Sequence, residues 1–188
     1  KRLFDILFSL TVIVFLLSWL TPLLAILIRI ESRGPIFFKQ SRNGFNYKEF
    51  DCYKFRSMTP NKNAHLYQAT RGDQRVTKMG KLIRKTSIDE LPQLWNVLKG
   101  DMSFVGPRPA LFNQQDLMDL RTAQGVHALV PGLTGWAQVN GWRGITDTPE
   151  KLEKRIEYDL WYVENWTVWL DLKIMFMTLF SKKSYSNC

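Results

Sequence analysis

The 188-residue chain is 45% apolar and 13% aromatic, with a formal net charge of +9. That composition suits one domain with a core and excludes an acidic solvating tail, a long disordered segment and a multi-domain assembly. Two cysteines, Cys52 and Cys188, exclude a disulfide framework and a cysteine-based zinc site, and two histidines, His65 and His127, argue against a His-rich metal centre.

Residues 6–28 form an uncharged run of 23 positions, and about 20 suffice to cross a bilayer as a helix. The run is too long for a signal peptide, and no small-residue cleavage site follows. Pro22 lies deep inside it, where a proline removes one hydrogen bond and clashes with the carbonyl four residues back, at about 3 kcal/mol unless the helix bends. Thr21 and Ser18 can re-satisfy the freed backbone groups. Lys1 and Arg2 precede the run and Arg29 and Arg33 follow it, so the positive-inside bias favours both ends in the cytoplasm. A helix broken at Thr21-Pro22 that returns on the same side meets both facts; a kinked helix that spans is the competing reading.

Residues 35–42 and 49–58 read as two strands around the Asn43-Gly44 turn signal. Alternation puts Phe50, Cys52, Lys54 and Arg56 on one face, which becomes positive towards its end. Residues 59–77 are polar and lack periodicity, as a loop does. Over residues 78–85 a helix would carry Lys78, Lys81, Arg84 and Lys85 in one stripe, the pattern of a solvated or lipid-facing surface.

Ser87 followed three residues on by Glu90 has the form of a capping box, with Pro92 tolerated near the first turn. Asp89 and Glu90 then occupy that turn, where acidic residues also serve a purely structural purpose through the macrodipole. Their surroundings support chemistry as well. The free N–H groups of a helix N-terminus suit phosphate. Arg84 lies just upstream, and Arg108 is presented rigidly between Pro107 and Pro109. Arginine matches phosphate oxygens bidentately, and Mg²⁺ takes one or two carboxylates plus substrate phosphates. No Walker A or GxGxxG pattern occurs.

Thr148 as N-cap and Pro149 at the first position open a charged helix over residues 150–164. Residues 166–180 carry Asp171 and Lys173 and are too short to cross a bilayer. Trp at one end fits an interfacial helix, and a buried core helix fits equally.

The blocks KRLFDI, YKFRSM, RKTSIDELPQLWNVLKGDMSFVGPRP, PGLTGWAQVNG and YDLWYVENWTVWLDLKIMF, with the interrupted apolar run, occur in order from residue 1 to about residue 180. Together they resemble the bacterial sugar transferase family, the monotopic phosphoglycosyl transferases. NGWRGITDT is most similar to the undecaprenyl-phosphate glucose-1-phosphate transferases, departing at Ile145, where an acidic residue is expected.

The resemblance implies transfer of a sugar 1-phosphate from a UDP-sugar to polyprenyl phosphate with release of UMP, as the first membrane step of exopolysaccharide, capsule or O-antigen assembly. It assigns Asp89 as nucleophile in a ping-pong scheme, Glu90 as holder of Mg²⁺, and Arg84 and Arg108 as phosphate ligands. The family's basic residue in the strand motif corresponds to Lys54 or Arg56. Asp159, Pro107 and Gln138 match further family positions, and Thr21-Pro22 matches the family's helix-break-helix anchor, favouring the re-entrant reading. The family includes larger members with an extra N-terminal membrane module, and without a starting Met this chain is expected to be the catalytic portion of a longer protein.

The expected architecture is α+β and mainly helical. Residues 1–33 form a re-entrant membrane helix, and residues 34–188 form a catalytic domain with a small β-hairpin and interfacial C-terminal helices, one functional unit on the cytoplasmic face of the bacterial inner membrane. The expected partners are the UDP-sugar, the polyprenyl phosphate and the bilayer, with homo-oligomerisation left open. A non-enzymatic, basic, membrane-bound scaffold is the alternative. Nucleic acid, suggested by the charge, is disfavoured by the apolar run and the lack of a basic motif interleaved with aromatics.

Overall fold

The computed structural model describes residues 1–60, 72–111, 114–144 and 148–180. His65, Ile145, Cys188 and much of the expected loop over residues 59–77 lie outside the described residues. The described chain is mainly helical with small sheets, in line with the α+β expectation.

The N-terminal apolar run forms one helical rod: α1 (Arg2–Val12), a π turn (Ile13–Leu17) and α2 (Ser18–Glu31). By length and composition it could cross a membrane. The expected break at Thr21-Pro22 is corrected here, because the backbone stays helical through both residues and the irregular turn lies one turn earlier. The reason is local hydrogen bonding. The Pro22 ring opposes the Ser18 carbonyl, and the π turn widens the backbone just ahead of it. Within that stretch the Ser18 N–H donates to Ile13, Ser18 Oγ donates to the Val14 carbonyl at 2.5 Å, and Trp19 Nε1 donates to Phe15 at 2.9 Å.

Both ends of the rod are tied to the same body. Lys1 reaches Tyr162 at 2.6 Å and Asp171 at 3.1 Å. Arg2 donates to the Val97 and Leu98 carbonyls. Buried Asp5 accepts from Ser103 Oγ at 2.8 Å and from the Phe104 N–H at 3.1 Å. At the far end, Arg56 donates to the carbonyls of Ile28, Ser32 and Arg33. The Glu31 carboxylate accepts from the N–H groups of Lys78 and Met79 and so caps α3 (Lys78–Lys85), where it complements the helix dipole. Between the ends, Leu17, Leu24 and Ile28 pack with Phe55, Ile83 and Leu94. Leu3, Leu7, Phe15, Ile26 and Ile30 stay exposed.

Strands β1 (Phe37–Asn43) and β2 (Glu49–Phe55) form the expected antiparallel hairpin, with Phe38 opposite Lys54 and Gln40 opposite Cys52. A 3₁₀ turn (Ile88–Gln93) and α4 (Leu94–Lys99) follow α3 and pack on β2. Strand β3 (Ser103–Val105) leads into residues 106–109, and β4 (Ala110–Leu111) adds to β1, giving the order β2-β1-β4. After α5 (Gln115–Ala123), strand β5 (Gly132–Thr134) pairs in parallel with β3. A Cβ on Gly132 would fall 2.0 Å from the Gly106 backbone nitrogen, so only glycine lets these two segments approach.

Helix α6 (Trp136–Val139) precedes α7 (Pro149–Glu164), whose N-cap Thr148 accepts from the Lys151 N–H as its sequence signal predicts. In α8 (Val168–Phe180), Leu170, Asp171 and Ile174 are buried while Val168, Trp169, Leu172, Phe176, Leu179 and Phe180 are exposed. The helix is thus half core and half apolar surface, which joins the two readings of this segment. It packs with α6, β3 and β5, and α1 also contacts β3, so the exposed apolar faces of α1 and α8 flank one strand.

Candidate active site

The site is built where the 3₁₀ turn meets the end of β2 and the loop after β3. Ser87 adopts a left-handed conformation, φ 56°, which costs a non-glycine residue about 1–2 kcal/mol. The capping box expected from Ser87 and Glu90 does not form. The Ser87 side chain caps nothing and instead accepts from Arg143 Nη1 at 2.8 Å. Glu90 is drawn away by stronger partners, since charge-assisted bonds outweigh a bond to a neutral N–H. A six-residue 3₁₀ turn also stands in place of the longer helix whose N-terminal N–H groups would suit phosphate.

Glu90 is the hub. Lys54 Nζ lies 2.8 Å from its Oε1, Arg108 Nη2 2.7 Å from Oε1 and Nη1 3.3 Å from Oε2, and Arg143 Nη2 2.8 Å from Oε2. Four donors occupy the roughly four acceptor directions of a carboxylate. Burial acts to raise the Glu90 pKa, but the charges of Arg108, Lys54 and Arg143 hold it well below the usual carboxylate range.

Asp89 differs sharply. It is buried, and among the described residues it accepts no hydrogen bond. Burial, and next the charge of Glu90, push its carboxyl up to about 6, against the pull of Lys54, Arg84 and Arg143. A narrow accessible edge remains, since the residue is 7% exposed. The arrangement presents a carboxylate without a direct partner beside Lys54, Arg84, Arg108 and Arg143, a place where an approaching phosphate meets net positive charge.

Several expected site residues lie elsewhere. Arg56 is buried but grips the end of α2, away from Glu90. The chain passes from β-strand to loop after Phe55, so the alternation carrying Lys54 to the site does not bring Arg56 there. Pro107 is buried and its carbonyl accepts from the Gly132 N–H at 2.8 Å. Gln138 donates to the Leu133 carbonyl at 3.3 Å, holding β5 against α6. Asp159 pairs with Arg121 at 3.0 Å, both buried. Thr21 and Pro22 line an apolar cavity of about 590 Å³ with Phe55, Pro92 and Trp95, and Pro92 belongs to the same turn as Asp89 and Glu90.

Arg143 escaped sequence reasoning, since it sits alone in Gly-Trp-Arg-Gly, 53 residues from Glu90. Arg42 also escaped it. It is buried, pushed down to about 10 chiefly by burial, and donates to the Pro109 carbonyl at 3.1 Å, bracing the loop that presents Arg108.

The donor set fits a divalent cation only in combination with a substrate. Asp89 has lone pairs to offer, whereas Glu90 can do so only by exchanging a guanidinium for the metal. Among the described residues no cluster of three or more His, Cys, Asp or Glu side chains forms, so other ligands have to come from phosphate oxygens and water, the pattern Mg²⁺ favours.

A family described as bacterial sugar transferase matches residues 1–183. The UDP-glucose:undecaprenyl-phosphate glucose-1-phosphate transferase of Klebsiella pneumoniae is 50% identical over 183 residues, covering 96% of this chain and 39% of that protein. The UDP-N-acetylgalactosamine-undecaprenyl-phosphate N-acetylgalactosaminephosphotransferase of Aeromonas hydrophila is 44% identical, over 95% of this chain and 42% of that protein. The exopolysaccharide production protein PSS of Rhizobium leguminosarum bv. phaseoli is 41% identical, over 97% of this chain and 94% of that protein. The chain thus spans about two fifths of the length of the first two relatives and nearly the whole of the third.

Proposed function

The chain belongs to the bacterial sugar transferase family, and on that footing we propose that it moves a sugar 1-phosphate from a UDP-sugar to undecaprenyl phosphate, releasing UMP. The names of relatives make UDP-glucose the first donor to test. The observation that carries this reading is the pairing of Asp89, which has no hydrogen-bond partner among the described residues, with a cation-saturated Glu90.

An Asp89 oxygen attacks the sugar-bearing phosphorus of the donor. The bond from that phosphorus to the bridging oxygen breaks, and UMP leaves with the electron pair. Arg84, Arg108 and Arg143 receive the diphosphate and offset the charge growing on UMP. The acyl phosphate so formed is then attacked by a phosphate oxygen of the lipid acceptor, which frees the Asp89 carboxylate and leaves a polyprenyl diphosphate sugar. Mg²⁺ held by Glu90 in exchange for one guanidinium, together with the donor diphosphate, would supply further charge neutralisation there.

The acceptor's first prenyl units lie in the apolar cavity beside Thr21, Pro22 and Trp95, and the rod enters and leaves the bilayer from the cytoplasmic face. Two observations support that topology. Basic residues flank both ends, and both ends bond to one globular body, which cannot stand on two sides of a membrane at once. The exposed apolar faces of α1 and α8 would rest at the headgroup level, bringing Asp89 to the depth of the lipid phosphate. A non-catalytic scaffold has no use for a buried carboxylate held without a direct partner.

The test is chemical. Incubation with a UDP-sugar labelled in the sugar should leave label covalently on the protein until undecaprenyl phosphate is added, and Asp89→Asn should take up none. Label uptake by Asp89→Asn at the parental level would overturn the assignment.

A further inference from the structure

Behind Glu90 lies a set of contacts that the transfer steps do not use directly. Arg155, on α7, is 6% exposed. Its Nε donates to the Trp142 carbonyl at 3.0 Å and its Nη2 to the Gly144 carbonyl at 2.5 Å. Those two carbonyls stand on either side of Arg143, whose guanidinium spans Ser87 Oγ and Glu90 Oε2. Helix α7 is itself fixed one turn on, where Asp159 pairs with Arg121 of α5 at 3.0 Å, both buried. A guanidinium is planar and its donors point in fixed directions, so two carbonyls held by one arginine cannot move independently. Burying a cation for this purpose is unfavourable unless it is well bonded. Among its neighbours, Asp159 favours its charge while Arg108, Arg121 and Arg42 oppose it.

We propose that Arg155 is a positioning residue that sets Arg143 against Ser87 and Glu90 by gripping the backbone on both sides of it. This rests on the reading of Arg143 as a ligand of the donor diphosphate. It ties α7 to donor binding, with Asp159 acting at one further remove.

A double-mutant cycle on the full chain tests it, with Arg155→Gln, Arg155→Lys, Arg143→Gln and the Arg155→Gln/Arg143→Gln pair. Two readouts are needed: kcat/KM for the UDP-sugar, and amide hydrogen exchange at Trp142, whose N–H bonds the Ala137 carbonyl at 2.9 Å. Arg155→Gln should lower kcat/KM about tenfold or more, as expected for lost bonds to a charged group, and should add nothing in the Arg143→Gln background. Arg155→Lys keeps the charge and can reach one carbonyl, so it should fall between. Exchange at Trp142 should quicken in Arg155→Gln and stay parental in Arg143→Gln.

Equal activity losses in both backgrounds, or unchanged exchange at Trp142, would overturn the proposal. Should the chain transfer no sugar phosphate at all, the reading of its function fails separately and hydrogen exchange still decides the role of Arg155. If Arg155→Gln does not fold, the same cycle is run with Arg155→Lys, where additivity with Arg143→Gln again counts against it.

Discussion

Asp89 and Glu90 are consecutive and buried alike, yet contact compensates only Glu90. Three basic side chains touch Glu90, while Asp89 feels Lys54, Arg84 and Arg143 only at a distance. Neighbouring carboxylates in opposite electrostatic states can take opposite tasks, one as attacking group and one as keystone of the cations.

On the proposed role of Asp89 as the attacking carboxylate, with its carboxyl raised to about 6, kcat/KM should decline as pH falls through that value and level off above it. A pH–rate profile flat down to pH 5 would contradict this.

Stability should run the other way. A carboxyl raised above its ordinary 3.8 contributes stability that is complete below 3.8 and lost as pH rises through about 6. Keeping Asp89 ionised at pH 7.5 therefore costs on the order of 3 kcal/mol. Asp89→Asn should unfold at a higher temperature than the parent at pH 7.5, and the gap should close towards pH 4. Coincident melting curves at pH 7.5 would refute it.

For Glu90 the sign reverses. Its pKa is held below the ordinary 4.5, so its contribution is present above that value and is lost on acidification. Glu90→Gln leaves Lys54, Arg108 and Arg143 without their shared anion, at about 3 kcal/mol. Thermal unfolding at pH 7.5 should show the loss, and it should shrink only below pH 4.5.

Asp5→Ala removes the acceptor for Ser103 Oγ and the Phe104 N–H. Leaving those donors unsatisfied costs about 2 kcal/mol, read as a lower melting temperature in detergent. No change would mean that the start of the rod is not held to the body in solution.

In a Cys188→Ser background, where Cys52 is buried, Lys1→Cys and Arg33→Cys should react with an impermeant thiol reagent from the same side of sealed vesicles. Reaction from opposite sides would establish a span.

Local rules make much of this molecule legible. The hairpin and the Thr148-Pro149 start are set by neighbours in sequence and both form, although the chain turns over residues 44–48, just past Asn43, which still pairs with Glu49. Lys54 and Arg108, which the sequence singles out on separate segments, both pair with Glu90. The capping pattern at Ser87 misleads because the same letters serve two purposes, and distant arginines, invisible to a local rule, claim both side chains. Arg143 and Arg155 are illegible for the same reason, since each acts through a tertiary contact and lies in no periodic pattern. At Pro22 the rule identifies the stress correctly, but its relief appears a turn upstream.

The rod from Arg2 to Glu31, fastened at both extremities and packed along its middle, leaves no slack between anchor and reaction centre. A tethered enzyme could bob to whatever height its substrate occupies. Seated in the bilayer as proposed, this one would roll as a rigid raft, so a thinner or thicker bilayer would be felt as a change in the attitude of Asp89 towards the headgroup plane, and turnover in vesicles of graded acyl-chain length would report it.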